Sequence, residues 1–508
     1  MNIKKILTVL LCAVIFASMT SIGVFALDID ENSFKGEARI SSRTLYEGIT
    51  ETHISFGADS KYGEQEIWVV EFDPTREDLA VDVTCGGEYA VNLKTVKSTV
   101  EKFKEENGEG KVPIAAINGD LWMVSYAHAR IEGSGTSYGG YSDPVVTHSM
   151  TLPRGLNIYN GEIICSPHSS AETPLEGAFD CFGITADGRT ILGTPTMKIN
   201  CKNLTQGTDA FKITGLNRLP ANKAIMLYSD RGAPDTASLD DAYELVIDCD
   251  HDYKITQNSS IKGTVTAICK PGDENPKMKP NRFIMTARGA KYISTVSDIK
   301  IGDELEFSFE LSGGKKDNDI WQEVVNAVGG HMILVKNGKA QSVGDGTRYP
   351  TSIIGNTKDG KILFTTMDGR QPGYATGMKI SDMPKFLVEL GYENCFLLDG
   401  GGSATMVNIN EEGGYDLINH PCDKFEDGTY GAPRTVVNSI ILSVINEAEP
   451  TEEPTPEETP SPQSNEASTA KHSDTANNKG CGGMTGFTAV PAAVIALAAV
   501  SLIRRKEH

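Results

Sequence analysis

An aspartate carried by an apolar run straight onto three glycines and a hydroxyl residue is the pattern in this chain best suited to chemistry. Cys395–Leu398 reads as a strand, and Asp399-Gly400-Gly401-Gly402-Ser403 follows it without a break. Consecutive glycines weaken any regular element and leave backbone N–H groups that a ligand oxygen can approach closely. An acid, bare N–H groups and hydroxyls together suit a sugar or a phosphate; taken alone, the loop reads equally as a tight strand-exit turn. Three more segments also run from an apolar strand into glycine and polar residues: Ile114–Asp120, Asn326–His331 and Phe364–Gln371. A fifth, Pro433–Asn438, opens the last strand. If these strand ends converge, one pocket gathers Asp120, Asp368, Asp399, Arg370, Arg434, Asn118 and Asn438. An arginine grips two phosphate oxygens at once, and carboxylates stabilise an oxocarbenium-like centre or activate water. The set therefore suits an anionic sugar. His331 is read as a rim or structural residue.

Several other chemistries are excluded. The formal net charge is −21 with an isoelectric point near 4.9, the wrong sign for a nucleic-acid partner. Asp248-Cys249-Asp250-His251-Asp252 imitates the start of a calcium loop but lacks glycine at the sixth place (Tyr253) and an acid at the twelfth (Ser259). No His-Glu-x-x-His, Gly-Lys-Ser/Thr phosphate loop or Gly-x-Ser-x-Gly elbow occurs. The ten cysteines include no Cys-x-x-Cys pair, so a zinc site is not expected.

The elements that must position these residues read as mostly β. Asn160-Gly161, Asp187-Gly188, Asn337-Gly338 and Asp359-Gly360 each sit beside apolar runs, the pattern of two-residue hairpin turns. Leu93–Glu105 has helical apolar spacing. Ser381–Leu390 reads as a second helix, with a capping serine, Pro384 early and Gly391 as its stop. The expectation is an α+β fold: a central, mostly antiparallel sheet with packed helices and an inserted β-rich subdomain at about 173–314. Residues 27–112 would supply N-terminal strands and a helix, and 113–446 the main domain.

The ends read as export and tethering signals. Lys4 and Lys5 precede an apolar core, and Val24-Phe25-Ala26 suits cleavage after residue 26. Residues 447–483 form a Pro/Glu/Thr-rich spacer that cannot bury a core. In 484–508 an apolar run, 487–503, precedes Arg504-Arg505-Lys506, a membrane anchor or sorting tail at the short end for a span. These features place the chain at the outer face of a bacterial cell membrane or cell surface, held by the C-terminal helix.

The motifs Asn118-Gly119-Asp120, Gly329-Gly330, Asp368-Gly369-Arg370-Gln371, Gly377-Met378, Leu390-Gly391, Asp399–Ser403 and Arg434 with Asn438, in this order, resemble the phosphodiester glycosidase family. The resemblance covers roughly 113–442, more weakly at 173–314. It departs where the family has Pro-Arg-Thr: here Pro350 is followed by Thr351, with Arg348 nearby. The resemblance implies hydrolysis of a sugar-1-phosphodiester at the anomeric bond, on N-acetylglucosamine-1-phosphodiester or a similar cell-surface glycan or sugar-phosphate polymer. On that reading Asp399 and Asp368 are the catalytic pair and Arg370 and Arg434 bind phosphate. The loop Gly400, Gly401, Gly402, Ser403 donates hydrogen bonds, and Asn118, Asp120 and Asn438 order the sugar or the pocket. No cofactor is required by default, and a divalent cation is left open. The alternative is a carbohydrate-binding surface protein on the same fold without catalysis.

Overall fold

The computed structural model describes Phe34 and residues 38–122, 128–139, 152–167, 180–218, 222–236, 241–344 and 346–446. The export signal, the spacer and the C-terminal apolar run lie outside these residues. Among the described residues no helix is long and apolar enough to cross a membrane.

The architecture is sheet upon sheet. One eight-stranded sheet runs in the order Ala38–Tyr46, Ile49–Phe56, Gln65–Phe72, Ile362–Met367, Thr351–Thr357, Tyr392–Leu397, Met332–Lys336 and Lys339–Ala340. A five-stranded sheet follows the order Tyr415–Leu417, Met406–Ile409, Lys111–Asn118, Ser439–Ile445 and Leu79–Thr84. A second five-stranded sheet holds Thr190–Gly193, Cys181–Thr185, Val324–Gly329, Asn157–Tyr159 and Glu162–Cys165. A further eight-stranded sheet is built entirely from strands between Thr196 and Ser312.

Apolar side chains of the first three sheets share one core. Val70, Phe364 and Phe396 meet Ile117, Met406 and Ile440, with Phe182 and Val328 beside them. The helix Val96–Asn107 covers the outer face of the first five-stranded sheet through Val96, Val100 and Phe103. The helix Met383–Glu389 covers the outer face of the first eight-stranded sheet through Met383, Phe386 and Leu387.

The α+β expectation is therefore corrected. The described residues are mostly β, with 47% strand against 10% helix. Its main core is closed by sheets facing sheets rather than by helices on a central sheet. Two segments with helical spacing raised the helical share, but each only caps an outer face. The proposed capping serine is displaced as well: Asp382 takes the cap position of Met383–Glu389 and makes no side-chain cap bond. The four Asn-Gly and Asp-Gly sites all become hairpins. Asn160 and Asn337 adopt positive φ (46° and 51°), as a primed turn requires.

Two glycines bring the second five-stranded sheet against Asp120. A Cβ on Gly329 would stand 2.4 Å from the Gly155 Cα and 2.5 Å from the Asp120 Oδ2. The obstacle is backbone, which cannot swing aside. Gly329→Ala should cost about 2 kcal/mol or more, read as a lower midpoint in urea with an unchanged slope; an unaltered midpoint would mean that the two segments are not in contact.

Candidate functional site

Sheet order brings the acids to one end of the molecule. Ile362–Met367 and Tyr392–Leu397 both run antiparallel to the strand Thr351–Thr357 between them. They therefore point the same way, and Asp368 and Asp399 leave the same end of the sheet two strand spacings apart, roughly 10 Å of backbone. From the facing sheet, Lys111–Asn118 ends in Gly119 and Asp120. The two ends are tied directly: the Asp399 N–H donates to the Gly119 carbonyl at 2.9 Å, and Asn118 Nδ2 donates to the Asp399 carbonyl at 2.9 Å. Asn118 Oδ1 accepts from Ser352 Oγ (2.6 Å) and the Thr405 N–H (3.0 Å). Asn118 is thus a buried cross-link between sheets, fully occupied by protein.

Asn438 plays a similar part for Asp120. Its Oδ1 accepts the Asp120 N–H at 2.7 Å, while Asp120 Oδ2 accepts the Gly155 N–H at 2.7 Å. Asp120 Oδ1 is buried with no hydrogen-bond partner, as is Asn438 Nδ2. Burial pushes Asp120 up to about 7. The Gly155 N–H and the Arg218 and Arg154 charges oppose the rise, and the Asp399 charge adds to it. Asp399 is itself raised to about 6 by burial, against Ser403, Arg434, its own Gly400 N–H and Arg154. Its side of the loop is partly open to solvent. Ser403 Oγ lies close enough to lower the carboxylate without completing a hydrogen bond.

Asp368 stands in a different setting. It is wholly buried and held by Asn419 Nδ2 (2.9 Å), the His420 N–H (2.8 Å) and Tyr374 Oη (3.1 Å). Burial still raises it to about 7. Asn419 also donates to the Ala404 carbonyl at 3.0 Å, linking Asp368 to the far end of the glycine loop. Asp120, rather than Asp368, is the carboxyl whose titration the Asp399 charge shifts.

The two predicted phosphate ligands differ. Arg434 is buried in a two-bonded ion pair with Asp423 (2.7 and 2.8 Å). A Cβ on Gly402 would stand 2.2 Å from Arg434 Nη2 and 2.3 Å from Asp423 Oδ2, so glycine is the residue that lets this pair lie against the loop. Arg370 is exposed, makes no ion pair among the described residues, and lies over the Tyr349 ring at 5.8 Å and near Gly401. Three loop N–H groups are already engaged: Gly400 on Asp399 Oδ1, Gly401 on the Pro350 carbonyl and Ser403 on the Gly400 carbonyl. Thr351 is fully buried, and Arg348 donates to the carbonyls of Gly377 (2.6 Å) and Tyr62 (3.2 Å). Arg348 therefore braces the Gly377 turn.

Arg154, Arg218, Asn419, Tyr374 and Asp423 were not foreseen. None sits in a strand-to-glycine motif; Arg154 adjoins Gly155, which packs on Gly329, and Arg218 donates to the Pro153 carbonyl at 2.6 Å. His331, expected at the rim, donates its N–H to the Leu397 carbonyl at 2.7 Å; partial burial and the Arg154 charge lower its pKa. Among the described residues no group of three or more His, Cys, Asp or Glu side chains is placed to hold a metal ion. The eight cysteines of the described residues are all free thiols.

Residues 256–443 match the model of the phosphodiester glycosidase family. The matched stretch includes the Asp368, Asp399 and Arg434 loops but not Asp120, so the likeness to that family is carried by just over a third of the chain. A curated relative, the SPbeta prophage-derived uncharacterized protein YomE of Bacillus subtilis (strain 168), is 35% identical over 96 residues, 19% of this chain and 13% of that protein. A hypothetical protein from Synechocystis shares the fold at TM-score 0.57 and 17% identity, over 80% of this chain and 64% of that one. An exported-protein candidate from Burkholderia pseudomallei K96243 gives 0.56 at 16% identity, over 80% of this chain and 97% of that one. The catalytic domain of zebrafish N-acetylglucosamine-1-phosphodiester alpha-N-acetylglucosaminidase scores 0.35 at 14% identity, covering 81% and 89%, too low to carry an argument.

Two predictions follow from the geometry. Gly402→Ala should split the Arg434–Asp423 pair and cost 3–5 kcal/mol, roughly the cost of breaking a buried pair; a melting curve matching the parent would contradict the packing. Asp120 titrates near 7 folded and near 3.9 unfolded. Between those values the folded state holds a proton that the unfolded state has released, so this group's contribution to stability falls as pH rises from about 4 to about 7. Asp120→Asn removes that loss. Its melting temperature should exceed the parent's at pH 8 by roughly several degrees, with the gap closing near pH 4; a gap independent of pH would refute the assignment.

Proposed function

We propose that the chain hydrolyses a sugar-1-phosphodiester at the anomeric carbon, on N-acetylglucosamine-1-phosphate diesters or similar glycan phosphodiesters of the cell surface. The observation that carries this reading is the partly open Asp399 carboxyl, raised to about 6, beside the buried Asp120 and within reach of guanidinium charge. Carboxyl groups that titrate near neutrality are suited to moving protons at working pH.

In the proposed reaction a water oxygen bonds to C1 while the bond from C1 to the bridging oxygen breaks. The electron pair leaves on the phosphate monoester, which needs little protonation to depart. Ionised Asp399 accepts the water's proton and stabilises positive charge at C1. Asp120, protonated at pH values below about 7, then offers a hydrogen bond from its unpartnered Oδ1. Arg370 takes the phosphate, because it is exposed at the loop with no ion pair among the described residues, whereas Arg434 is held by Asp423 and acts on Asp399 through its charge. Asp368 orders Tyr374, Asn419 and, through Ala404, the glycine loop. Asn118 and Asn438 hold the acids in place. No metal is assigned to these steps.

Asp399→Asn should lower turnover of a defined N-acetylglucosamine-1-phosphodiester by at least about 100-fold with an unchanged circular dichroism spectrum. Arg370→Ala should raise KM by roughly 10-fold or more, the scale of one charge-assisted pair. In the parent, kcat/KM should fall as pH drops below about 6, and activity should survive a chelator. Undiminished turnover by the Asp399 variant would sink the reading.

A further inference from the structure

Two adjoining cavities lie beside the cleft rather than over Asp399, with volumes of about 270 and 370 Å³. Both are walled by Gly86, Gly87, Glu88 and Lys102, and the larger also by Leu93 and Lys94. Their total is within the range of sites that hold a small ligand.

Their position follows from strand register. Thr84 pairs with Ser439, and Ser439 pairs with Asn118. The turn after Thr84, Cys85-Gly86-Gly87, therefore leaves the same sheet end as Gly119-Asp120, two strand spacings or roughly 10 Å away. The intervening wall is continuous: Leu93 packs against Trp122 and Val437, the neighbours in sequence of the Asp120 and Asn438 segments. Lys94 exchanges backbone hydrogen bonds with Val436 (3.1 and 2.8 Å), two residues from Arg434.

The charge of the lining departs from the rest of the chain. In a protein with 21 more acids than bases, Lys94, Lys102 and Arg231 face the two cavities against Glu88 and Glu106. Lys102 meets Glu106 at 3.3 Å and Arg231 meets Glu162 at 3.6 Å. Lys94 is exposed, with no ion pair among the described residues. Basic groups mixed with carboxylates and hydroxyls suit a ligand that carries both phosphate and sugar hydroxyls.

We propose that this groove is a second subsite, binding the neighbouring unit of a phosphodiester-linked glycan, so that the preferred substrate is a polymer rather than a single diester. This rests on the glycosidase reading above. The step catalysed is unchanged; the groove adds binding energy away from the bond that breaks.

The test compares the parent with Lys94→Ala/Lys102→Ala on two substrates: the methyl diester of N-acetylglucosamine 1-phosphate and an oligomer of the same phosphodiester-linked unit. The expected result is a KM for the oligomer raised roughly 10-fold or more in the double variant, the loss of one to two charged contacts, with kinetics on the methyl diester unchanged. Equal kinetics of parent and variant on the oligomer would overturn the subsite. Calorimetric binding of the oligomer to Asp399→Asn, with and without the two lysine changes, keeps the groove testable if neither substrate is cleaved. In that case the glycosidase reading fails, while weaker binding after loss of the lysines still supports the groove and equal binding still overturns it.

Discussion

The site depends on one junction: Asn118 and the Asp399 backbone, where two sheets that never exchange strands are fastened end to end. The Asp399 N–H reaches the carbonyl of Gly119 and its own carbonyl receives Asn118 Nδ2. The remaining acceptor of Asn118 is filled by Ser352 and Thr405. A side chain this buried is costly when its partners are missing, so the junction fixes one register for both sheets. A slip of one residue would turn every side chain to the opposite face. Asp120 would then lose Asn438 and Gly155, and Asp399 would lose its place beside the glycine loop.

Electrostatics at that junction are decided by water exclusion. For Asp120, Asp368 and Asp399 alike, burial is the largest influence and raises the carboxyl; hydrogen bonds moderate it in all three, and guanidinium groups only at Asp120 and Asp399. Arg154 shows the same balance from the other side, its pKa lowered first by burial and again by Arg218. The cations near Asp120 and Asp399 lower both carboxyls without returning them to ordinary values. Three carboxyls titrating at about 6 to 7 can exchange protons where free ones could not. The cost appears as lost stability at neutral pH.

Local signals made the loops legible. A glycine run after an apolar strand marks Asp399, and Asn-Gly or Asp-Gly between apolar runs marks hairpins, because both depend only on neighbours in sequence. The helix read at Leu93–Glu105 begins at Val96 because Thr95 supplies the cap, bonding the Ser98 N–H at 3.3 Å. Fold class was misread because facing sheets are a long-range fact: nothing near Val70 or Phe396 announces Ile117 and Ile440. Arg154 and Arg218 were invisible for a related reason. Neither neighbours an acid in sequence: Arg154 adjoins Gly155, whose contact with Gly329 is a long-range fact, and Arg218 comes in from a separate strand region to donate to the Pro153 carbonyl.

Backbone strain separates the two arginines that sequence had treated alike. Arg370 adopts φ 60°, the left-handed region that L side chains avoid. That conformation costs about 1 kcal/mol, which glycine at the same place would not incur. Gln371 closes the turn from behind, donating its N–H to the Ala375 carbonyl and its side chain to the His420 carbonyl. The turn is therefore held by its surroundings, and the residue it displays at the loop is a guanidinium with no carboxylate against it among the described residues. Strain retained where a simpler residue would relieve it argues for a role outside folding. Arg434 carries no such mark: its φ is not positive, and its charge is answered by Asp423. The two cations therefore differ in setting: one is built into the wall, where its charge lowers the Asp399 carboxyl, and the other stands exposed at the loop.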